Sequence, residues 1–465
     1  MYRRFLLLGL TVVLCGCLRP EKYQKPVPPV PSAWPDSTTS QAAGAQAPAA
    51  VNVKWQEFFA DEKLRKVIEQ ALANNRDLRM AALNVEKVQA LYRIQRAQQY
   101  PTINAVASVD SYHVPADMTN DNKGYTYEVN TLGVQVTSWE LDLFGRVRSL
   151  KSAALEQYLA SEQARTATQI SLVGAVASSY LTLAADRDNL RLAEETLKAQ
   201  QASYDLILRT RNAGMASDLD VRQSQSQVEA ARVDIARYTG LVAQDENALN
   251  LLVGSPVAAD LLPSELGSDS SLKDISAGLP SEVLLNRPDI LTAEHQLKAA
   301  YANIGAARAA FFPRIALTGG GGLLSSALSE LFSPRARTWM FSPQAVLPIF
   351  DSGARKANLK IAQVDRDLAV AEYEKAIQTA FREVSDSLVL RGKLLEQENA
   401  QAALVKSLDD TYRLSDTRYK AGIDSYLSVL VAQRALYGAQ QVLISVRQYR
   451  LSNLVNLYKV LGGGA

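Results

Sequence analysis

YDLILRTRNAGMASDLDVRQSQ, residues 204–225, returns 208 positions later as YRLSDTRYKAGIDSYLSVLVAQ, residues 412–433. Tyr204, Leu206, Ala213-Gly214, Leu219 and Gln225 match Tyr412, Leu414, Ala421-Gly422, Leu427 and Gln433, and Leu249 and Gly254 match Leu457 and Gly462. Earlier in each half, Arg76-Asp77-Leu78 leading to Arg96-Ala97 and Tyr100-Pro101 is echoed by Pro288-Asp289-Ile290 leading to Arg308-Ala309 and Phe312-Pro313, with the same interval from Asp to Pro. Self-similarity of this kind takes priority over other readings of a fold, and it reads as a tandem duplication. The halves are 56–255 and 275–465, joined by a polar linker at 256–274.

Each half predicts very long helices. No proline lies between Pro115 and Pro256, and none follows Pro348. Val176, Tyr180, Leu183, Leu190, Leu197 and Tyr204 form one narrow apolar stripe, and Ile377, Phe381, Val384 and Leu388 step by four, three and four. Such spacing demands coiled-coil-like packing against a neighbour. A helix from about Arg146 to Ala213 would be about 100 Å long at about 1.5 Å per residue. Gly214 and Gly422 then mark turns between antiparallel partners.

Two stretches in each half change to a period of two. Ile103–Val109 with Val129–Val136 form a candidate hairpin, about 102–137, around a polar loop with Asp117, Asn120, Asp121, Asn122 and Gly124. A second, about 314–347, pairs Arg314–Gly320 with Met340–Leu347. Strands of about ten residues suit a tilted transmembrane barrel. Four strands cannot close one, because an open edge is forbidden in hydrocarbon and small barrels need about eight strands. Several chains must therefore contribute, and three would give a twelve-stranded barrel. Soluble hairpins capping a helical bundle are the alternative. The run Gly319 to Gly322 lacks the context of a phosphate loop and reads as a close-packed or flexible strand end.

The N-terminus carries Arg3-Arg4, an apolar run from Phe5 to Leu14, and Leu14-Cys15-Gly16-Cys17, the plan of a bacterial export signal over residues 1–16. The end of the run resembles a lipobox, which makes Cys17 the lipidated N-terminus of the mature chain. An ordinary signal peptide that happens to contain cysteines is the alternative. Leu18 in place of an aspartate resembles lipoproteins sent on to the outer membrane. Residues 17–55, with Pro26, Pro28, Pro29, Pro31 and Pro35, read as an extended tether. Past Leu18 no run approaches the roughly 18 to 20 apolar residues of a spanning helix, so any membrane crossing falls to strands. With Cys17 lipidated no second thiol remains, so no intramolecular disulfide is available. The chain holds 50 Lys and Arg against 48 Asp and Glu, so no basic excess points to nucleic acid.

The lipobox, Tyr23 to Pro26, Trp55-Gln56-Glu57-Phe58-Phe59, Asn75-Arg76-Asp77-Leu78, Tyr92-Arg93-Ile94-Gln95-Arg96, Trp139 to Arg146, Arg287-Pro288-Asp289-Ile290 and Ala309 to Pro313 resemble the outer-membrane efflux channels of the TolC-like, OprM-type lipoprotein class. The resemblance spans essentially the whole chain. It implies a mixed α and β membrane protein: a homotrimer with one shared twelve-stranded barrel and a long periplasmic coiled-coil tunnel. It also implies an exit duct for drugs or other small toxic compounds, partnered by a periplasmic adaptor and an inner-membrane resistance-nodulation-division transporter. A related channel for protein secretion is the alternative. By match to the family, Asp220 and Tyr419 link neighbouring coiled coils in a closed gate, Arg418 and Asp424 lie near enough to join them, Leu427 is an apolar constriction, and Arg434 is a basic partner. The chain departs from the pattern at Val431, where the family has an aspartate that can attract cations.

No enzyme motif is expected or found: the sequence has no Gly-x-x-x-x-Gly-Lys, His-Glu-x-x-His or Gly-x-Ser-x-Gly. His113 and His295 are the only histidines, and five methionines make no soft-metal track, so no metal or other cofactor beyond the lipid on Cys17 is expected.

Overall fold

The structure, a computed structural model, describes residues 23–31, 33–34, 53–266, 272–273, 275 and 286–463 of the 465. The signal segment and Cys17 lie outside the described residues. In chain order the main elements are α1 (Trp55–Phe58), α2 (Glu62–Asn74), α3 (Arg76–Ala97), β1 (Ile103–Val114), β2 (Tyr125–Glu140), α4 (Arg146–Asn212), α5 (Asp218–Val253), α6 (Pro288–Ala309), β3 (Arg314–Ser325), β4 (Arg337–Val346), α7 (Ala354–Lys420) and α8 (Tyr426–Val460). A helix, two strands, a very long helix and a shorter helix thus occur in that order twice. The chain divides into two compact units, one holding 84–161 and 292–373 with the described part of Met1–Val27, the other holding 28–83, 162–291 and 374–465.

The first unit contains an antiparallel sheet in the order β1-β2-β3-β4. Register runs unbroken from Ile103↔Val136 to Val114↔Tyr125, then from Asn130↔Ser325 to Val136↔Gly319, and from Arg314↔Val346 to Leu323↔Arg337. Side chains alternate across the pleat. One face therefore carries Ile103, Ala105, Ala107, Leu132, Val134, Val136, Leu323, Trp339 and Phe341, with Glu128, Asn130 and Arg337 toward its far end, and the other carries Asn104, Ser108, Asp110, Thr131, Gln135, Thr318, Ser342 and Gln344 among Val106, Val129, Leu324 and Met340. The apolar face is open, with Ile103 70%, Val134 56% and Trp339 80% exposed. A soluble sheet buries its apolar face against a core, whereas this sheet leaves both faces uncovered, with Met340 on the other face 50% exposed. β1 and β4 are edges, paired on one side only.

The strands reach further than their composition predicts. Beyond Val109, Ser111, Tyr112 and His113 continue the ladder against Glu128, Tyr127 and Thr126. The Tyr112 and Tyr127 rings stack at 5.3 Å, and His113 Nδ1 lies 3.1 Å from Thr126 Oγ1. A bulge with Ser138 at φ 51 lets β2 run on to Glu140. The glycine run sits mid-strand: a Cβ on Gly322 would lie 2.3 Å from the Leu132 carbonyl oxygen. Close approach of β2 and β3 is what needs glycine there.

At the foot of the sheet, Glu140 takes a two-pronged bond from Arg146 (2.8 and 2.7 Å) and a third contact from Arg314 at 2.7 Å. Asp142 accepts from the backbone N–H groups of Val147 and Arg148, and Asp351 from those of Gly353 and Arg355, so each long helix begins on a capping aspartate.

Both α4 and α7 have 67 residues, about 100 Å at about 1.5 Å per residue. Part of each predicted seam is fully buried, with Val176, Leu183 and Val384 0% exposed and Ile377 1%, while Leu190, Leu197, Tyr204 and Phe381 are half-buried. The most apolar stretch of α4 is long enough to cross a membrane, yet over half of it is buried within the protein, so its apolarity serves packing. The second unit's aromatic core stacks Phe58 on Tyr458 at 4.0 Å, with Phe59 edge-on to both.

The lead and the linker differ from expectation. Trp34 is buried and stacks on Phe381 at 5.0 Å, and Val53 and Trp55 are buried as well. Lys25 Nζ lies 3.0 Å from Glu294. Leu272 pairs with Phe59, and the Leu266 N–H donates to Asp188. Proline content sets an extended backbone, but aromatic and charged anchors decide whether such a segment hangs free.

Candidate channel gate at the helical turns

Gly214 and Gly422 adopt φ +79 and +74, the left-handed conformation that glycine reaches without a Cβ penalty. Around them the chain reverses in the same way twice. Met215 N–H donates to Thr210 and Ile423 N–H to Arg418, the six-to-one bond that closes a helix on a left-handed glycine. Below the turns a cluster of Ile207, Val221, Tyr426, Val429 and Leu430 is buried, with Tyr204, Leu208, Tyr412 and Tyr419 packed on it.

The seven residues expected to form the gate divide into four groups around the turns and along the first part of α8. Arg418 and Asp424 pair across the turn, Nε to Oδ2 at 2.6 Å and Nη2 to Oδ1 at 3.0 Å; the guanidinium draws the Asp424 carboxyl below its usual range. Asp220 is engaged locally instead. Its Oδ2 accepts from Ser217 N–H at 3.0 Å and Ser217 Oγ at 2.7 Å while the Asp220 N–H donates back to Ser217 Oγ, a reciprocal cap on α5. Tyr419 packs its ring 5.3 Å from that of Tyr426. Burial, and next the nearby Asp220 carboxylate, push its hydroxyl pKa upward. Within one chain Asp220 thus faces Tyr419 electrostatically while bonded to Ser217. Leu427 and Val431 stand on one face of α8, 55% and 60% exposed. Arg434 Nε donates to Gln227 Oε1 at 2.8 Å, joining α8 to α5.

Sequence reasoning missed the rest of that seam. Tyr437 donates to Asp234 at 3.0 Å and Gln441 to Tyr238 at 3.1 Å, so with Arg434–Gln227 they form a row of polar bonds between α5 and α8. Burial and the Asp234 bond raise the Tyr437 pKa. Two of these pairs are 203 residues apart and the third 207, short of the repeat's own offset of 208, so the repeat brings α5 and α8 into correspondence without naming the partners. Elsewhere, His295 Nδ1 lies 2.7 Å from Glu156, apart from His113 on the sheet; no group of three metal-ligating side chains occurs among the described residues.

A four-stranded sheet with an exposed apolar face, paired long helices and polar turns have relatives. The antibiotic efflux pump outer membrane protein ArpC of Pseudomonas putida is 49% identical, over 100% of this chain and 96% of its own length. The solvent efflux pump outer membrane protein SrpC of the same species is 46% identical, over 97% and 96%. A solved membrane protein from Pseudomonas aeruginosa superposes with a TM-score of 0.90 at 41% identity, over 96% of this chain and 98% of the other. The description of outer membrane efflux proteins matches twice, at residues 67–255 and 279–463, once in each half. The chain belongs to the outer membrane efflux protein family.

Proposed function

We propose that three copies of this chain build the outer-membrane exit duct of an efflux pump for antibiotics, solvents or similar small toxic molecules. The sheet carries this reading. An apolar face exposed over four strands and two open edges are tolerable in hydrocarbon only when each edge pairs, β4 of one copy on β1 of the next, and three copies supply twelve strands. The polar face then lines the pore. The helices continue the wall into the periplasm, where an adaptor and an energised inner-membrane transporter deliver substrate. The repeated element order is read as a gene duplication, and Cys17 as a lipid anchor that assists sorting of a protein already held by its barrel.

The turns are the gate. Asp220, Tyr419, Arg418 and Asp424 hold adjoining helices together when closed, Leu427 and Val431 narrow the aperture, and Arg434 fixes α8 against α5. With valine at 431 the ring is apolar, so divalent cations find no carboxylates there. Single-channel recording in planar bilayers tests both points. Asp220→Ala combined with Tyr419→Phe should raise conductance, and Val431→Asp should introduce block by divalent cations. Unchanged conductance in the double variant removes the gate assignment, and absence of block removes Val431 from the aperture.

A further inference from the structure

We infer that the cleft between α4 and α6, roofed by Tyr23, is a binding site for the phosphate headgroup of an anionic glycerophospholipid. It has a volume of about 630 Å³ and is lined by Arg148, Lys298, Arg308, Ser149, Ser152 and Tyr301, with Leu143 and Phe144 at its rim. Its cations are positioned. Asp142 holds Arg148 at 3.2 Å, and Glu294 holds Lys298 at 2.9 Å, with the ammonium 5.2 Å from the centre of the Tyr23 ring. Tyr23 in turn meets Tyr301 edge-on at 5.8 Å. Glycine at 305 lets the helices close under the site: a Cβ there would sit 2.7 Å from Ser149 Oγ. The wall combines point charges and hydroxyl donors, which suit phosphate, with aromatic and apolar surface, which suits a glycerol backbone and the start of an acyl chain. Glu156 is the acidic residue in the lining, and His295 occupies it at 2.7 Å.

The site also lies at headgroup depth. β2 ends at Glu140, three residues before Leu143, and β3 begins at Arg314, six after Arg308, so the cleft adjoins the strand ends that the barrel reading places at the inner leaflet. Leu143 is 63% exposed beside it. Tyr23 is six residues from Cys17, a span of about 20 Å at most when fully extended, so a lipid on Cys17 keeps the cleft close to the same surface. Basic residues at that surface attract anionic lipid.

The inference rests on the barrel reading, and native mass spectrometry of the detergent-extracted protein separates the two. Phosphatidylglycerol should remain bound to the trimer where phosphatidylcholine and inorganic phosphate do not. Arg148→Gln with Lys298→Gln should weaken that retention about thirtyfold while leaving the trimer mass intact. As a second readout, a thiol introduced by Ser152→Cys should react more slowly with a maleimide in phosphatidylglycerol vesicles than in phosphatidylcholine vesicles. An intact trimer that keeps both lipids equally, or equal labelling rates, overturns the headgroup site alone. A lipid-free monomer overturns the barrel and this site with it.

Discussion

The sheet and the long helices hide their apolar residues in opposite directions. Along α4 and α7 the apolar stripe is the buried one, with Leu183 and Val384 fully enclosed. Across the sheet the stripe of Val134, Trp339 and Phe341 stays exposed, as does the other face with Gln135 and Ser342, because no layer of the same chain covers either. The same hydrophobic term drives both arrangements, and only the surrounding solvent differs. On the proposed reading one chain meets two media, water around the helices and hydrocarbon around the strands.

The largest effect that sharpens this contrast is a cavity in the helical seam. Leu183→Ala should cost about 2–5 kcal/mol and lower the thermal midpoint in any detergent. A charge on the sheet should depend on face. Val134→Lys should cost about 2–4 kcal/mol in a bilayer and reduce folding into vesicles, whereas Gln135→Lys should fold normally and alter ion selectivity; equal costs would show that the two faces meet the same medium. The two turns offer a smaller test. Ser217 caps α5 through its side chain, but Ser425 makes no such bond at the start of α8. Ser217→Ala should thus cost about 1 kcal/mol and Ser425→Ala almost nothing, read as hydrogen exchange at each helix start.

A further test concerns acidity. Asp245 on α5 is half-buried with one carboxylate oxygen unpartnered; burial, then the charge of Asp186 on α4, push its pKa up to about 6 from an ordinary 3.8. Tyr238 also faces Asp186, and Arg187 is committed to Glu246 at 2.7 Å. A raised carboxyl pKa means that the folded state binds the proton more tightly than the unfolded state. No penalty exists below about pH 4; it grows as pH rises through 6 and stays constant above. Asp245→Asn should accordingly stabilise the helix pair at pH 7.5 and not at pH 4, by thermal melts at the two values. A gain of the same size at both would mean that packing, not charge, is responsible.

Much of this architecture was legible. Gly214 and Gly422 announce the turns because glycine takes a positive φ without strain, and the heptad from Val176 to Tyr204 announces a buried seam. What escaped reading depends on pairing. Ser111, Tyr112 and His113 have no apolar alternation of their own and are strand only because Glu128, Tyr127 and Thr126 face them. Proline marks the lead as extended, but composition does not say that Trp34 finds Phe381. At the turns, a serine three residues before Asp220 already spells a helix cap, a bond that the family likeness passes over. The contacts of Tyr437 with Asp234 and Gln441 with Tyr238 join residues over 200 positions apart, which no local pattern reveals.

The open edges of β1 and β4 carry the central claim, that the barrel exists only between copies. The direct test is the mass of the protein extracted from outer membranes in mild detergent, the full chain weighing 50.7 kDa. A stable complex of three chains, dissociating only as its sheet unfolds, is the predicted result. A folded monomer that stays in the membrane fraction and conducts ions would contradict it.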